Sequence, residues 1–476
     1  MKENKIPDSR FLKEKIAELK RKLQLLESAK NEEDYFRKRS DATIKKRVEQ
    51  MRAAKNQAFD TVALWGLYGK EDMLRYKSLT LPLFMSTTGG SYDSLTDGAL
   101  LLSYQTTNDP NKIYTRIDNI NPDHLAWKFA ALEGLGIPEL TQGLCTSSGM
   151  SAIMMATMAF LKPGDNFVSS NRVYGGSEQL FNVTYPKSGW NVKWVTEPWD
   201  LKKWKEKIDE KIKFLFIEFP SNPTLFVSDI PALADLAHLH KIPLIVDSTM
   251  ATPALTRPLE HGADIVVHSI SKVANGSCRC IGGAIVAKDK IVTKDNSLRD
   301  DFVNKLKGGH FRNMGPCLSP FNAMIIWDEM GTLRIRMEEH CKKALKIAKF
   351  LESHPMIESV NYPGLMSHPQ HEVAKKLMKL PNGTNGYGFL LSFNIKGGFE
   401  KAKEFAQVFD FGAQVTHLGG SYTVWVHNAT TTHSQMSSEE RKLAGIPDNM
   451  IRYSVGLEGT DDAIKALEKA LKQIQH

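Results

Sequence analysis

Leucine and isoleucine recur at alternating spacings of four and three near the start of the chain. The positions are Leu12, Ile16, Leu19, Leu23 and Leu26. This spacing places apolar side chains on one face of a helix and is typical of a coiled-coil seam. The pattern predicts helix from residue 9 to about residue 58. Because the seam lasts only about two heptads, two interpretations stay open: an amphipathic helix packed on its own subunit, or a contact between subunits.

From about residue 160 the pattern changes to short apolar runs separated by helix-like segments. The runs are "NFVSSN", "KFLFIEF", "IPLIVDS" and "DIVVHS". One intervening segment is "DIPALADLAHLHK", in which Asp229 suits an N-cap and Pro231 suits the first turn. Strands that are apolar throughout and alternate with helices predict a mostly parallel sheet covered on both faces. The fold class is therefore α/β.

Glycine and proline are concentrated in "GGHFRNMGPCLSPF", residues 308–321, which indicates a boundary. Beyond it the sequence predicts a long helix over about 321–353, a strand at "GFLLSFNI" and a closing helix at "TDDAIKALEKALKQI". We expect three parts: an N-terminal helical extension over 1–58, a large domain over 59–316, and a smaller α/β domain over 317–476.

The net charge of +8 is concentrated in the extension, since residues 1–60 hold 17 Lys and Arg against 11 Asp and Glu. No aromatic-rich RNA motif or finger spacing accompanies the basic excess, so no nucleic-acid partner is expected. No apolar run reaches membrane-spanning length, and the first residues lack the apolar segment of a secretory signal. We therefore expect a protein that neither binds nor crosses a membrane.

The chain has five cysteines, at spacings that form no zinc or disulfide framework. Cys278 and Cys280 are closer together than the usual C-x2-C metal ligands, and we interpret them as small packing residues. The sequence predicts no metal site. Unpaired cysteines also favour a reducing cytoplasm as the location of the protein.

Polar side chains follow the predicted strands at the edge where ligands bind to parallel sheets. Asp247 ends "PLIVD", and Ser269, Ser271 and Lys272 follow "DIVVH". Separately, a buried Asp or a Lys has an ordinary structural explanation. Together they predict pyridoxal 5'-phosphate (PLP), because a lysine amine bonds covalently to its aldehyde and a carboxylate keeps its ring nitrogen protonated.

A phosphate cradle is predicted at the start of a helical pattern in "CTSSGMSAIMMATMAFLKPGD", residues 145–165. Ser148, Gly149 and Met150 open this helix, whose free N–H groups and dipole suit a dianion. Such a start usually serves only to cap a helix. Its position before the acid and the lysine in chain order is what makes it a candidate for cofactor binding.

These residues also carry a resemblance to the transsulfuration (Cys/Met metabolism) family of PLP-dependent enzymes. The segments are "YTRIDNINPDHLAWKFAALEG", "SSGMSAI", "VYGGSEQLF", "PSNPT", "VDSTMATP", "GADIVVHSISK" and "IRYSVGLEG". The similarity runs from about residue 60 to the C-terminus. It implies the fold-type I PLP-transferase fold, with a seven-stranded type of sheet. Within the family, "MGPCLSPFNAM", "RMEEHC", "VNYPGL" and "ATTTHSQ" are most similar to O-acetylhomoserine sulfhydrylases.

The resemblance implies roles at the matching positions. Lys272 would hold the cofactor and shuttle protons, and Asp247 would bind the pyridinium. Tyr174 would stack on the ring and act in acid–base steps. Asn222 would approach the ring oxygen or the substrate carboxylate, which Arg452 would bind with two parallel hydrogen bonds. The phosphate would lie on the N–H groups of the predicted cradle and on the two serines that precede the lysine.

Tyr114 and Arg116 would reach the active site of the neighbouring subunit, Arg116 at the phosphate and Tyr114 at both phosphate and substrate. The active unit would then be a homodimer, with a homotetramer as the expected assembly. Ordinary structural roles are the alternatives: Tyr114 as core, Arg116 paired with Asp118, and Arg452 paired with Glu458.

The resemblance implies γ-replacement on an activated homoserine: O-acetylhomoserine plus sulfide or a thiol gives homocysteine or methionine. The alternative is a γ-lyase that releases a 2-oxo acid, ammonia and a thiol from methionine or cystathionine. A non-catalytic scaffold is disfavoured, because Lys272 and Asp247 are both present. Glu218, at the end of "FLFIE", is expected to be structural.

The sequence departs from the family pattern near the predicted pocket. Asn275 to Cys278 replace the usual Gly-Gly-His-Gly, and "HNA" at His427 replaces "HPA". His417 stands where a small polar residue is usual. We expect this imidazole to exchange a proton with Lys272 and to change its charge near neutral pH. In the alternative alignment Thr416 takes the polar position and His417 points away.

Overall fold

The computed structural model describes residues 10–103 and 112–475. Its α-helices are α1 (Arg10–Ser28), α2 (Glu32–Ala54), α3 (Phe59–Trp65), α4 (Lys70–Tyr76), α5 (Leu95–Leu102), α6 (Ile120–Glu133), α7 (Gly149–Met158), α8 (Gly175–Gln179), α9 (Leu201–Lys207), α10 (Ile230–Leu239), α11 (Thr252–Leu255), α12 (Asn296–Arg299), α13 (Phe302–Leu306), α14 (Arg312–Met314), α15 (Pro320–Glu329), α16 (Leu333–Ser353), α17 (His371–Leu377), α18 (Gly398–Val408), α19 (Ser438–Leu443) and α20 (Thr460–Gln473).

Its strands are β1 (Thr141–Thr146), β2 (Asn166–Ser170), β3 (Asn191–Val195), β4 (Ile212–Glu218), β5 (Leu244–Asp247), β6 (Ile265–Ser269), β7 (Gly283–Lys288), β8 (Ile357–Asn361), β9 (Leu390–Ile395), β10 (Ala413–Gln414), β11 (Val424–His427) and β12 (Met450–Ser454). Short π-helical turns cover Leu180–Thr184 and Lys307–Phe311, and 3-10 turns cover Tyr185–Ser188, Pro258–His261, Met330–Thr332 and Asn428–Thr430.

The larger sheet has seven strands in the order β1-β7-β6-β5-β4-β2-β3. Strands β3, β2, β4, β5 and β6 run parallel, and β7 is antiparallel to both of its neighbours. The carboxyl ends of β1, β2, β4, β5 and β6 therefore meet at one edge. The predicted α/β class and mostly parallel sheet are confirmed.

Both faces of this sheet are covered, which explains why its strands are apolar throughout. In β5, Val246 packs into a core that includes α6 and α15, and Ile245 packs into a core that includes α7. Val266 and Val267 of β6 alternate in the same way. The helix predicted from Asp229 is α10, and Asp229 accepts a hydrogen bond from the Ala232 N–H at 3.2 Å.

The smaller sheet has five strands in the order β10-β11-β12-β9-β8, and α16, α18 and α20 pack against it. The strand and the closing helix predicted for this region are β9 and α20. The long helix predicted over 321–353 is two helices, α15 and α16, joined by the 3-10 turn at Gly331. Glycine weakens a helix, and Leu64 of α3 lies 3.0 Å from the position that a Cβ at Gly331 would take. The domain boundaries at 58 and 316 stay a prediction.

The extension differs from the single helix that was predicted. It consists of α1 and α2, and Asn31 begins α2 by accepting a hydrogen bond from the Asp34 N–H at 2.9 Å. Phe36 and Ala54 of α2 are buried against the body. The five seam side chains of α1 are 42% to 57% exposed, so the interpretation that the seam packs on its own subunit is wrong.

Within the described residues, none of the helices combines the length and the apolar character that crossing a bilayer would require.

Candidate active site

A cavity of about 520 Å³ lies at the carboxyl edge of the larger sheet, where the smaller sheet meets it. The sheet register brings its acidic groups together: Glu218 of β4 is the direct partner of Asp247 of β5, which pairs with Val267 of β6. Lys272 follows the end of β6 in a turn in which its N–H donates to the Ser269 carbonyl at 3.2 Å. Arg452 comes from β12 of the smaller sheet. Strand ends from both sheets therefore build one site.

Ten of the predicted site residues line this cavity: Ser148, Gly149, Met150, Tyr174, Asn222, Asp247, Ser269, Ser271, Lys272 and Arg452. Two do not, Tyr114 and Arg116. The cavity is also lined by Ile153, Glu218, Thr249, Met250, Cys278, Arg279, Cys280, Ile281, Thr416, His417 and Leu418.

Lys272 has an amine that loses its proton more readily than an exposed lysine. Burial and the charge of Arg452 lower its pKa to about 8, and Cys278 opposes this shift. A useful fraction of the amine is therefore neutral near pH 8. Only a neutral amine is a nucleophile and a base.

Asp247 is held by Thr249, a residue that sequence reasoning missed. The N–H and hydroxyl of Thr249 both donate to Oδ1 of Asp247, at 3.0 and 2.5 Å. Thr249 Oγ1 in turn accepts a hydrogen bond from the Ser269 N–H at 2.7 Å. This one side chain ties the end of β5 to the end of β6. The available signal was a threonine two residues after a strand-end Asp, a pattern typical of a side-chain turn.

Glu218 supports two neighbouring segments of the site, as its expected structural role requires. Oε2 accepts from the Tyr174 N–H at 2.6 Å, and Oε1 accepts from the Asn222 N–H at 2.8 Å. Burial and the neighbouring charge of Asp247 raise the pKa of Glu218 well above its usual range, against the effect of these hydrogen bonds. Burial also raises the pKa of Asp247, and the two hydrogen bonds from Thr249 and the charge of His268 oppose this shift.

The start of α7 lies directly against the end of β6. Ser148 caps the helix by accepting from the Ser151 N–H at 3.1 Å. A Cβ at Gly149 would lie 2.5 Å from Ser269 Cβ, so only glycine allows this approach. The N–H groups of the first helical residues have no partner one turn earlier. The hydroxyl of Ser271 already bonds to both the N–H and the carbonyl of Gly282, at 3.0 and 3.2 Å.

Arg452 is a buried cation that does not use all of its N–H donors within the described residues. It is 1% exposed, and Nη1 donates to Asn222 Oδ1 at 3.2 Å, while Nη2 donates to the carbonyls of Thr416 and His417 at 2.9 and 3.0 Å. Nε is buried and has no hydrogen-bond partner among the described residues. Burial lowers the pKa of Arg452 to about 10, which leaves it charged at pH 7.

The alternative pairing of Arg452 with Glu458 is wrong. Glu458 accepts hydrogen bonds from the N–H and hydroxyl of Thr423, at 2.7 and 2.8 Å. A buried guanidinium that has no carboxylate partner within residues 10–103 and 112–475 is suited to an anionic ligand.

His417 and Thr416 both line the cavity. The part of the alternative alignment in which His417 points away is therefore wrong, and the polar role of Thr416 stays a prediction. Its Nε2 is buried and has no hydrogen-bond partner in the described part of the chain. Burial, together with the charges of Lys272 and Arg452, lowers the pKa of His417 to about 4. The expectation of a charge change near neutral pH is therefore also wrong, and the imidazole is neutral there.

Tyr114 and Arg116 lie together, outside the cavity. The Tyr114 side chain is exposed, and the Arg116 guanidinium carbon lies 5.6 Å from its ring centroid. Arg116 Nη1 donates to the Arg312 carbonyl. The alternative pairing with Asp118 is not observed, since Asp118 accepts from the Ile113 N–H at 3.2 Å and lies 3.7 Å from Lys112.

The fold and this site define a class, the PLP-dependent enzymes built on a mostly parallel sheet. The chain belongs to the family described as "Cys/Met metabolism PLP-dependent enzyme", whose sequence profile matches residues 67–472. The predicted family and the predicted cofactor, pyridoxal 5'-phosphate, are thereby confirmed.

Three relatives illustrate the range of the family. The chain is 35% identical over 443 residues to O-acetyl-L-homoserine sulfhydrylase of Leptospira meyeri, covering 87% of this chain and 97% of that protein. It is 36% identical over 401 residues to an L-methionine gamma-lyase of Fusobacterium nucleatum, covering 84% and 95%. A crystal structure described as an O-acetylhomoserine (thiol)-lyase of Campylobacter jejuni, which carries a pyridoxyl-lysine monophosphate, superimposes with a TM-score of 0.78 at 32% identity, covering 87% of this chain and all of that one.

Proposed function

We propose that the protein catalyses γ-replacement on an activated homoserine, in which sulfide or a thiol displaces the acetate of O-acetylhomoserine to give homocysteine or methionine. The observation that carries the proposal is the pairing, in one cavity, of Lys272 with a buried Arg452 whose Nε is unused. One group acts as a base and the other binds an α-carboxylate. The relatives that are named O-acetyl-L-homoserine sulfhydrylase and homocysteine synthase support the same reaction.

The residues of the cavity fit PLP. The close approach of Gly149 to Ser269 leaves the N–H groups of Gly149 and Met150 as donors for the phosphate, with Ser148 and the hydroxyl of Ser269 around it. Ser271 would donate to the phosphate only after its hydroxyl turns away from the Gly282 carbonyl. Asp247 would bind the ring nitrogen, and Tyr174 would cover the ring face.

When bound, PLP withdraws electrons from the substrate Cα and so makes protons at Cα and Cβ removable. Lys272 Nζ would take the Cα proton, because its lowered pKa keeps part of the amine neutral. The same amine would then move a proton at Cβ, which lets the γ-substituent leave. Tyr174 would serve as an acid for the leaving group. Arg452 and Asn222 would hold the carboxylate, which fixes Cα beside Lys272.

The active unit is a homodimer in this proposal, and a homotetramer is its expected assembly. Tyr114 and Arg116 lie outside the cavity of their own chain and carry an exposed ring and a cation. Both are suited to complete the cavity of a second subunit, Arg116 at the phosphate and Tyr114 at phosphate and substrate. All five cysteines are free thiols, which suits a cytoplasmic location.

The alternative function is a γ-lyase, which the relatives named L-methionine gamma-lyase favour. Two incubations of the holoenzyme test both functions: one with O-acetylhomoserine, with and without sulfide, and one with methionine alone. Homocysteine that forms only when sulfide is present supports γ-replacement. Release of 2-oxobutyrate from methionine, with no homocysteine from the first mixture, supports the lyase. A Lys272→Ala variant loaded with PLP is the control and should form neither product.

A further inference from the structure

A second cavity, of about 140 Å³, lies where the N-terminal extension meets the body of the protein. Side chains of α2, α4 and α6 line it, together with Lys112 and Lys307. Helix α2 precedes residue 67, where the match to the family begins. One wall of this cavity is therefore built by a segment that lies outside the family match.

The cavity is rich in cations. Among the described residues that line it, five are basic and three are acidic: Lys46, Arg47, Arg75, Lys112 and Lys307 against Glu71, Asp72 and Asp123. The excess is two positive charges. Cations that line a partly enclosed space raise the local concentration of anions.

Asp118, which does not line the cavity, lies 3.7 Å from Lys112 Nζ and reduces this excess to one positive charge. The acidic groups that line the cavity do not remove the remaining charge. Asp123 is shared between two ammonium groups, with Lys112 Nζ at 2.5 Å and Lys307 Nζ at 3.0 Å. Burial raises the pKa of Asp123, but the charges of both lysines outweigh it and hold that pKa well below its usual range. Arg47 Nη2 lies 4.0 Å from Asp72 Oδ1, and the guanidinium carbon of Arg47 lies 3.9 Å from the Trp127 ring centroid.

The other two cations, Lys46 and Arg75, lie at the rim, and both are exposed. Lys46 contacts the exposed carboxylate of Glu71. No ion pair of Arg75 is found within residues 10–103 and 112–475. Exposed side chains of this kind can turn toward a ligand without leaving a buried charge unpaired.

His124 provides an independent sign of a ligand. It lines the cavity and is 2% exposed, and its Nδ1 is buried without a hydrogen-bond partner in the described chain. Burial and the charge of Arg47 lower its pKa far below the usual range, so the ring is neutral. Buried polar atoms are nearly always paired, and an oxygen in the cavity, from a ligand or from water, would pair this one once the ring turns toward it.

We propose that this cavity binds a small tetrahedral dianion, sulfate or phosphate. Lys46 and Arg75 would contact its oxygens from the rim, and the Nδ1–H tautomer of His124 would donate from the floor. The volume of about 140 Å³ is about a quarter of the 520 Å³ of the active-site cavity, which suits a small oxyanion better than a nucleotide. A dianion here would join α2 of the extension to α4 and α6.

Calorimetric titration of the full-length holoenzyme tests the proposal. The protein is saturated with PLP, so that the phosphate cradle of the active site is filled. Sodium sulfate and sodium phosphate are titrated in separate arms, with sodium chloride at matched ionic strength as the reference. We expect saturable binding of one dianion per chain in at least one arm, and none of chloride.

The variant Lys46→Gln/Arg75→Gln removes both rim cations and should weaken binding about tenfold or more. The matched control is Lys45→Gln/Arg52→Gln, which removes the same charge from exposed positions outside the cavity. The control should bind like the unmodified protein. His124→Ala should also weaken binding.

Absence of saturable binding of both dianions to the holoenzyme would overturn the proposal. If the rim variant and the control bound the dianion equally weakly, the proposal would also be overturned, because the loss of affinity would then follow from the lower net charge alone. All variants should keep the cofactor absorbance and the activity, because none of these residues lines the active-site cavity. The outcome is therefore independent of the proposed reaction.

Discussion

Substitution of Arg452 by lysine separates charge from geometry in the proposed carboxylate site. Lysine keeps the positive charge but lacks the planar fork of guanidinium donors. It would remove the unused Nε–H and the hydrogen bonds to Asn222 Oδ1 and to the carbonyls of Thr416 and His417. We expect much weaker binding of amino-acid substrate, with the cofactor retained.

The magnitude follows from one lost charge-assisted hydrogen bond. Such a bond contributes about 1.5 to 3 kcal/mol, because a buried carboxylate has no water to replace it. The apparent Kd should therefore rise about 10- to 150-fold. Loss of the Asn222 contact acts in the same direction, since that amide also lines the cavity.

The assay is titration of the holoenzyme with L-methionine or O-acetylhomoserine, followed by the change in cofactor absorbance. The matched control is Arg334→Lys, a surface arginine that pairs with Asp60 and Glu338 and does not line the cavity. The control should keep its Kd. If Arg452→Lys and the control gave the same substrate Kd, Arg452 would not bind the carboxylate.

Four further predictions concern other parts of the molecule. Borohydride reduction of the holoenzyme should fix the cofactor to the peptide that contains Lys272; label on another lysine would contradict the site. Lys272→Ala and Arg116→Ala subunits are each expected to be inactive alone. When equal amounts are mixed after dissociation, half of the dimers contain one subunit of each kind, and one of their two sites has both residues intact, so about a quarter of the unmodified activity should return. No recovery would argue against a site built by two subunits. His417→Ser should change the ratio of homocysteine to 2-oxobutyrate but leave the pH–rate profile unchanged above pH 6, because the pKa of His417 is about 4; a moved acid limb would refute a neutral imidazole. Burial and the charge of Arg336 lower the pKa of His340 from 6.5 to about 4. Between these two pH values the unfolded state binds more protons than the folded state, so the free energy of unfolding decreases as the pH falls toward 4. Chemical denaturation should show a loss of about 2 kcal/mol from this group between pH 7 and pH 5, which His340→Asn should reduce.

The sequence was sufficient to predict the sheet and most of the cavity, because both depend on local patterns. Asp247 ends one apolar strand and Lys272 lies three residues beyond the end of the next, and parallel topology then brings strand ends to one edge. The role of Thr249 was missed because it depends on a contact with β6, twenty residues further along the chain. The charge state of His417 was predicted wrongly because burial, which the sequence does not show, determines its pKa.

In the extension, by contrast, the sequence contains a local signal for the start of α2 that the prediction of a single helix overlooked. Asn31 followed by Glu32, Glu33 and Asp34 is a typical start of a helix, and the structure begins α2 there. The exposure of the α1 seam could not be predicted, since an apolar stripe has the same sequence whether it is covered or not.

The hydrogen bond between Arg452 and Asn222 joins the smaller sheet to the larger one inside the cavity. The base and the carboxylate anchor therefore belong to different structural layers, and the distance between them depends on how the layers pack. A substrate held by Arg452 with its Cα beside Lys272 would span this junction. Selection among amino acids by length would then depend on inter-layer spacing, and substitutions far from the cavity could retune substrate preference by shifting one sheet relative to the other.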